Sequence, residues 1–244
     1  MPRPARRPRR LARRLVQLLA GLLLYGVSLA LMVRGSVGVA PWNVLDTGIA
    51  RLLPLSLGQV VVAMSFLVLL AWVPLRERPG IGTLANALLV GTSTDVALAV
   101  LHRPDAPAPR VLLMLGGVLL CAVATAMYMG ADLGRGPRDG LMTGLVRRTG
   151  LSLRLVRTSI ELTVVAAGWA LGGTVGVGTV VYALAIGPLV QPLLPLFQVR
   201  RPGPAPGQRF AATSTDASAA TITSTVVNRS SVSHCSRSTS TRPS

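Results

Sequence analysis

The sequence predicts an all-α polytopic membrane protein. The expected architecture is a transmembrane helix bundle of about six spans, built as two inverted three-helix repeats that each carry a short amphipathic or re-entrant helix. Two observations predict it. Half of the 244 residues are hydrophobic and only 14% are charged, which is typical of chains that face lipid. In addition, residues 21–101 and 117–197 align without a gap at a shift of about 96 residues.

The duplication is carried by glycine, proline and threonine as well as by aliphatic residues. About 25 of about 80 aligned positions are identical. Three pairs of motifs fix the register: Gly-Val-Ala-Pro (38–41) with Gly-Arg-Gly-Pro (134–137), Leu-Ser-Leu (55–57) with Leu-Ser-Leu (151–153), and Gly-Ile-Gly-Thr (80–83) with Gly-Val-Gly-Thr (176–179). Because unrelated membrane segments share mainly Leu and Val, this pattern indicates a true internal repeat.

Six stretches reach the roughly 17–25 residues that a helix needs to cross the bilayer core. They lie near residues 15–33, 57–75, 82–101, 111–130, 155–172 and 178–197, three in each copy. The first is too long for the apolar part of an export signal and no cleavage site follows it, so we interpret it as a retained membrane helix.

The spans divide the chain into five predicted regions. These are an Arg-rich cytoplasmic N-terminus (1–14), repeat 1 (15–101), a loop (102–110), repeat 2 (111–197) and a Ser/Thr-rich cytoplasmic tail (198–244). The tail has no hydrophobic periodicity and cannot bury enough apolar surface to offset the entropy of ordering, so we expect it to be disordered.

A shorter segment follows the first span of each copy, at residues 42–53 and 138–149, directly after Pro41 and Pro137. Proline suits the first position of a helix, and apolar residues recur at helical spacing in the first segment, so both are predicted to be short amphipathic helices. About 12 residues cannot cross the bilayer. With three crossings per copy, the second copy lies upside down; if the short helices crossed too, the copies would be parallel.

The net charge is +17, and every basic side chain apart from the two histidines is an arginine. With a cytoplasmic N-terminus, three crossings per copy satisfy the positive-inside rule and place both termini inside. The arginines expected inside are Arg76, Arg78, Arg135, Arg138, Arg147, Arg148, Arg154, Arg200 and Arg201. Those expected outside are Arg34, Arg51, Arg103 and Arg110. Contact with anionic lipid is expected, whereas nucleic-acid binding is not, since no stacking aromatics accompany the arginines.

Polar and charged side chains within the spans are candidates for binding a solute, because a charge there costs about 2.5–3.5 kcal/mol on insertion. Arg157 and Glu161 are four residues apart, so they can pair on one helix face, either to orient the helix or to contact a solute. Asp95 and Gln191 occupy matching places in the two copies. They either face a central cavity or make polar contacts between helices.

The start of each short helix is a second candidate site. A glycine-bearing turn before a proline-started helix exposes backbone N–H groups and the positive end of the helix dipole, where an anion can bind. The residues concerned are Gly38, Pro41, Gly134, Gly136, Pro137 and Arg138. Asp139 would compete for the same N–H groups, so helix capping is the alternative to anion binding.

Patterns of catalytic or metal-binding residues are missing from the sequence. It contains no His-Glu-x-x-His or Gly-x-Ser-x-Gly motif, and the two cysteines, Cys121 and Cys235, suit neither a disulfide framework nor a metal site. We therefore expect no enzyme activity, no cofactor and no bound metal.

Five motifs, in this order along the chain, resemble the YczE/YyaS/YitT group of bacterial membrane proteins. They are GVAPWNVL (38–45), GIGTLANA (80–87), GRGPRDGLM (134–142), VRTSIE (156–161) and GVGTVVYALAIGP (176–188), and the resemblance covers residues 15–197. It implies a multi-pass protein of the bacterial plasma membrane, with no agreed substrate and no catalytic residues to transfer.

The function expected from these observations is that of a transporter-like permease. Its inverted halves would rock around a midplane cavity lined by Asp95, Glu161 and Gln191 and carry a small polar or anionic solute. The alternative is a non-transporting membrane regulator or scaffold, whose Arg-rich face from Arg135 to Arg157 and tails contact another protein or anionic lipid. The sequence contains no signal for a particular solute or oligomeric state.

Overall fold

A computed structural model describes residues 7–198, which form eight α-helices and no strand. They are α1 (Arg7–Gly35), α2 (Pro41–Leu52), α3 (Leu57–Leu75), α4 (Ile81–Val100), α5 (Pro107–Gly130), α6 (Pro137–Thr149), α7 (Leu153–Ala170) and α8 (Val177–Phe197). The all-α prediction is confirmed. From residue 199 onward the predicted disordered tail, with Arg200 and Arg201, lies outside the described residues.

Five of these helices, α1, α3, α4, α5 and α8, are long and apolar enough to cross a membrane. The sixth predicted span forms α7, which is 18 residues long and is not among the five. It contains Arg154, Arg157 and Glu161, and these charges account for the difference. At 12 and 13 residues, α2 and α6 are too short to cross the bilayer at a rise of about 1.5 Å per residue.

The motifs that match at a shift of 96 residues lie at helix starts. Pro41 and Pro137 occupy the first positions of α2 and α6. Ser56 caps α3 by accepting the backbone N–H of Gln59, and Ser152 caps α7 in the same way. Because a serine at this position satisfies a free N–H group, each Leu-Ser-Leu motif begins a helix.

Contacts at the two ends of the bundle define the direction of each helix. At the first end, where α1 begins, the Gln17 side-chain amide donates to the carbonyls of Met127 (2.9 Å) and Phe197 (2.8 Å), near the ends of α5 and α8. The start of α4 lies at the same end, since the Gly82 N–H donates to the Leu133 carbonyl just after α5. Thus α1 and α4 begin where α5 and α8 end.

The second end brings together the opposite helix termini. The Gly178 N–H donates to the Val37 carbonyl (3.1 Å), which joins the start of α8 to the segment after α1. The loop after α7 reaches α2, where the Thr174 N–H donates to the Thr47 hydroxyl oxygen (3.1 Å). Therefore α1, α4 and α7 run in one direction, and α3, α5 and α8 run in the other.

The packing is centred on α1 and α5, which contact each other along much of their lengths. Glycine permits the close approach, since a Cβ atom on Gly21 would lie 2.9 Å from the Tyr128 backbone nitrogen. Next to this pair, α4 packs on α1 and α8 packs on α5. The short helices exchange partners between the halves, because α2 packs on α7 and α6 packs on α3.

The polar residues Asn43 and Asp46 of α2 are buried together with the apolar residues Trp42 and Val44. Asn43 and Asp46 are 1% and 0% exposed, whereas Leu52 is 65% exposed. Polar side chains buried inside a helix bundle are kept away from the surrounding lipid.

Candidate functional site

A cavity of about 320 Å³ lies between the helices, and all eight helices contribute to its lining. Sixteen of the 24 lining residues form pairs of positions 96 residues apart, the shift of the predicted repeat. The pairs are Leu29 and Thr125, Ala40 and Gly136, Pro41 and Pro137, Trp42 and Arg138, Val61 and Arg157, Ser65 and Glu161, Asn86 and Tyr182, and Val90 and Ile186. The starts of both short helices therefore face one shared space.

The two predicted copies contribute different chemistry to this cavity. Its charged lining residues, Arg138, Asp139, Arg157 and Glu161, all come from the second copy. The first copy supplies uncharged residues at the matching lining positions, such as Ser65 at the position that corresponds to Glu161. The charge in the cavity lining is therefore one-sided along the chain.

Most of the predicted site residues meet here. The cavity lining includes Pro41, Gly136, Pro137, Arg138, Arg157, Glu161 and Gln191. Gly38 and Gly134 do not line it, and both have positive φ angles, 139° and 149°. A Cβ on Gly38 would lie 2.6 Å from the Thr179 backbone nitrogen, and one on Gly134 would lie 2.9 Å from that of Thr83. These glycines allow the loops to pack against the starts of α8 and α4.

Asp95 is placed away from the cavity, contrary to the expectation that it lines the site. Its carboxylate accepts hydrogen bonds from the Gly58 N–H (2.7 Å) and the Ser56 hydroxyl (2.5 Å) at the start of α3. A carboxylate there satisfies free N–H groups and interacts favourably with the positive end of the helix dipole. In this structure Asp95 holds α4 against α3, whereas its counterpart Gln191 lines the cavity.

The different places of Asp95 and Gln191 reflect different helix packing in the two halves. In the first half α3 and α4 are in close contact, since a Cβ on Gly91 would lie only 2.3 Å from the Gly58 carbonyl oxygen. In the second half α7 and α8 make little contact, and a Cβ on the matching Gly187 would meet nothing within 4 Å. The residue that corresponds to Gly58 is Arg154, too large for the same approach.

An ion pair joins the two short helices at the edge of the cavity. The Arg138 guanidinium lies 2.9 Å from Asp46 Oδ2, and its Cζ lies 4.9 Å from the centre of the Trp42 ring, within range of a cation–π interaction. The Asp46 side chain is fully buried, and the Asn43 amide donates to it at 3.1 Å. Burial raises the pKa of the Asp46 carboxyl, and the Arg138 guanidinium opposes that shift.

The sequence does not single out Asp46, because its spacing fits an ordinary polar face of an amphipathic helix. Asp46 is paired with Arg138, which is 92 residues away along the chain. The Pro-Trp-Asn-x-x-Asp order of α2 contains the residues of this site, but only the tertiary structure brings Asp46 to an arginine.

Two further polar contacts surround the cavity. The predicted pair on α7 is present, with Arg157 Nε donating to Glu161 Oε1 at 2.8 Å. Asp139 accepts a hydrogen bond from the Tyr128 hydroxyl at 2.6 Å, which draws its carboxylate toward α5. Between residues 7 and 198 the structure contains no group of three or more His, Cys, Asp or Glu side chains able to hold a metal ion.

Comparison with known proteins identifies the family. Residues 12–194 match the DUF6198 family, a family of unknown function. The chain belongs to this family. The DUF6198 match includes every residue that lines the cavity. No solved structure matches the chain.

Three bacterial relatives support this membership. An uncharacterised protein of Haemophilus influenzae is 40% identical over 71% of this chain and 80% of its own length. The uncharacterised membrane protein YczE of Bacillus subtilis is 30% identical over 72% of this chain and 83% of its own length. YyaS, an uncharacterised protein of the same organism, is 21% identical over 73% and 90%. The expected relationship to YczE and YyaS is confirmed, and this DUF6198 protein is a multi-pass bacterial membrane protein.

Proposed function

We propose that this protein is a transporter-like permease, in which two inverted halves of three spans each move around the central cavity and carry a small polar or anionic solute across the membrane. The observation that carries the proposal is the lining of the cavity by residue pairs 96 positions apart. In secondary transporters with internal repeats, the solute site lies between the repeats, where residues of both copies meet.

The helix directions support inversion of the second half. The helices that correspond by the 96-residue shift, α1 and α5, α3 and α7, and α4 and α8, run in opposite directions. The contacts between halves are also reciprocal, since the Gly178 N–H donates to the Val37 carbonyl and the Gly82 N–H donates to the Leu133 carbonyl, both at 3.1 Å. Such an exchange is expected of two copies related by a twofold axis in the membrane plane.

In the proposed permease, α7 is the sixth span. Its charged residues Arg157 and Glu161 neutralise each other and line the cavity, which lowers the cost of placing them in the membrane. The first end of the bundle has more arginines than the second, which favours a cytoplasmic first end and cytoplasmic termini. Arginines at or near the first end are Arg13, Arg14, Arg76, Arg78, Arg135, Arg147, Arg148 and Arg154, and those of the second end are Arg34, Arg51, Arg103 and Arg110.

The size and lining of the cavity support a small solute. Its volume of about 320 Å³ is at the lower end of the range for small-molecule sites. Pro41 and Pro137 direct the positive starts of α2 and α6 into the space, and Arg138 adds a guanidinium. Hydroxyl and amide groups such as Ser65 and Gln191 offer further hydrogen bonds to a polar solute.

Alternating access can be tested without knowledge of the solute. In a cysteine-free background with Cys121→Ala and Cys235→Ser, the variant Ser65→Cys places one thiol in the cavity. The expected result is reaction with an impermeant sulfonated methanethiosulfonate from either face, measured separately in right-side-out and inside-out vesicles. The matched control is Gly116→Cys on α5, which should react from neither face, because nothing lies within 4 Å of its Cβ position and the side chain would point into lipid.

Labelling of the cysteine at position 65 from one face only would contradict the permease. Solute classes can then be compared by osmotic swelling of proteoliposomes in formate, nitrate, phosphate or glycine. Swelling that is faster than in protein-free vesicles and is lost in Glu161→Gln would support a solute site at the α7 ion pair. Equal swelling rates with and without protein, for all four solutes, would argue against transport of this class of solute.

The alternative function, a membrane regulator or scaffold, is favoured by the exposure of Arg148 and Arg154 at the first end. Exposed arginines there suit anionic lipid headgroups or an acidic partner protein. Loss of a co-purifying protein on Arg148→Ala, together with one-sided labelling of the cysteine at position 65, would favour this function over the permease.

A further inference from the structure

Two buried oxygen atoms on the first turns of α2 have no hydrogen-bond partner. They are Oδ1 of Asn43 and Oδ1 of Asp46, on side chains that are 1% and 0% exposed. The Asn43 amide nitrogen already donates to the other carboxylate oxygen, Asp46 Oδ2, at 3.1 Å. Leaving two buried acceptors unsatisfied is costly, and a proton on Asp46 Oδ1 would turn that acceptor into a donor.

The state of Asp46 also controls the charge that the cavity presents. Arg138 lines the cavity and Asp46 does not, although the two are paired at 2.9 Å. While Asp46 is ionised, it neutralises the guanidinium. Once Asp46 holds a proton, the positive charge of Arg138 is no longer compensated by its partner and faces the cavity beside the positive starts of α2 and α6.

We infer that Asp46 is a proton-binding site that controls the affinity of Arg138 for an anion, so that one proton and one monovalent anion occupy the protein together. This inference deepens the proposed function and rests on it. The proton binds Asp46 Oδ1, the ion pair becomes a neutral carboxylic acid beside a free guanidinium, and the anion neutralises that guanidinium. The two ligands carry opposite charges, so their joint binding leaves the net charge of the site unchanged.

Among the charged side chains near Asp46, Arg138 is the one that is paired with its carboxylate. Besides lying near α6, α2 packs on α3 and α7. The charged residues of α7 nearest the cavity, Arg157 and Glu161, are paired with each other. Asp139 of α6 is held by a tyrosine of α5, and α3 lines the cavity with uncharged residues only. Burial raises the pKa of Asp46 despite the guanidinium, which is the direction that proton binding requires.

The first test is an infrared titration of the full-length protein in vesicles of phosphatidylcholine and phosphatidylglycerol. Wild type should show the C=O stretch of a protonated carboxyl group up to a pH above the ordinary range of an aspartic acid. Asp46→Asn should lose that band, and the matched control Asp95→Asn should keep it. Arg138→Gln should move the midpoint to higher pH, because it removes the cation that favours the carboxylate. A wild-type titration with no such band would overturn the inference.

The second test uses iodide as the anion, because iodide quenches tryptophan fluorescence and Trp42 lies against Arg138. The Trp42 signal is obtained as the difference between each protein and its Trp42→Phe counterpart. In wild type, acidification should raise the affinity for iodide by about 5- to 150-fold, the usual range of coupling between two ligands. Asp46→Asn should bind iodide equally well at both pH values, and Arg138→Gln should lose this binding.

Failure of this inference can be separated from failure of the proposed function. Two-sided labelling of the cysteine at position 65, combined with pH-independent iodide quenching in wild type, would leave the permease standing and reject the proton site. One-sided labelling, combined with both pH effects, would support a proton-linked anion site in a protein that does not alternate between faces.

Discussion

Alanine at two glycines that correspond by the 96-residue shift should have opposite effects on stability. Gly91 lies on α4, and a Cβ there would be 2.3 Å from the Gly58 carbonyl oxygen and 2.6 Å from Val62 Cγ2. The nearer atom belongs to the backbone, which cannot rotate away. To reach ordinary van der Waals contact, α3 and α4 must separate by about 1 Å. Gly187 on α8 has open space at the same position.

The expected magnitudes follow from this geometry. Overpacking at Gly91 costs about 1–3 kcal/mol, and the better helix propensity of alanine returns about 1 kcal/mol. Gly91→Ala should therefore lower the free energy of unfolding by up to about 2 kcal/mol. Gly187→Ala has only the propensity term and should raise it by up to about 1 kcal/mol. The two variants should differ by about 1–3 kcal/mol, although both make the same chemical change.

Reversible unfolding in mixed micelles, with increasing dodecyl sulfate and tryptophan fluorescence as the readout, measures both variants under the same conditions. Trp72 on α3 is 3% exposed, so its emission should report on the loss of the bundle's packing. Equal midpoints for the two variants, or a lower midpoint for Gly187→Ala, would refute the reasoning. Such a result would mean that α7 and α8 pack as closely as α3 and α4 do.

Two more substitutions test the assignments of individual side chains. Trp72→Phe removes the indole N–H that donates to the Pro137 carbonyl at 3.0 Å. The free energy of unfolding should fall by about 1–3 kcal/mol, measured as a lower thermal unfolding temperature. An unchanged temperature would show that the buried carbonyl finds another donor. Asp95→Asn weakens the cap of α3 at the Gly58 N–H and should cost about 1 kcal/mol of stability, while two-sided labelling of the cysteine at position 65 persists. Loss of that labelling would place Asp95 in the transport path after all.

The helices could be predicted from the sequence because the signals that start and extend a helix lie in neighbouring residues. Residues 57–75 are predicted as a span and form α3 with the same bounds. The bilayer demands a minimum length of apolar residues, and serine or proline at the start satisfies the free N–H groups, so both signals are readable along the chain. The first helix is longer than predicted, Arg7–Gly35 instead of residues 15–33, since the arginines before the apolar run are good helix formers.

Only part of the candidate site could be predicted from the sequence. Arg157 and Glu161 are neighbours on one helix face, so their pairing depends on spacing alone. Asp46 and Arg138 lie on different helices, and a polar residue in a short amphipathic helix has the same pattern whether it faces water, lipid or an arginine. Asp95 and Gln191 illustrate the same limit, because their matching positions predict matching roles and the packing of α4 and α8 gives them different ones.

The amino-acid sequence by itself determined the number of helices and, apart from the longer start of α1, their bounds to within a few residues. It also determined that lipid surrounds them. These features depend on hydrophobic length, prolines and caps, which act over a few neighbouring residues. Only the tertiary structure decided which polar side chains share the cavity and which fasten one helix to another. The physical reason is that these contacts join residues far apart along the chain. Gly58 lets α3 and α4 approach closely, whereas Arg154 occupies the matching position on α7. The closeness of each helix pair decides whether Asp95 or Gln191 is packed between helices or faces the cavity.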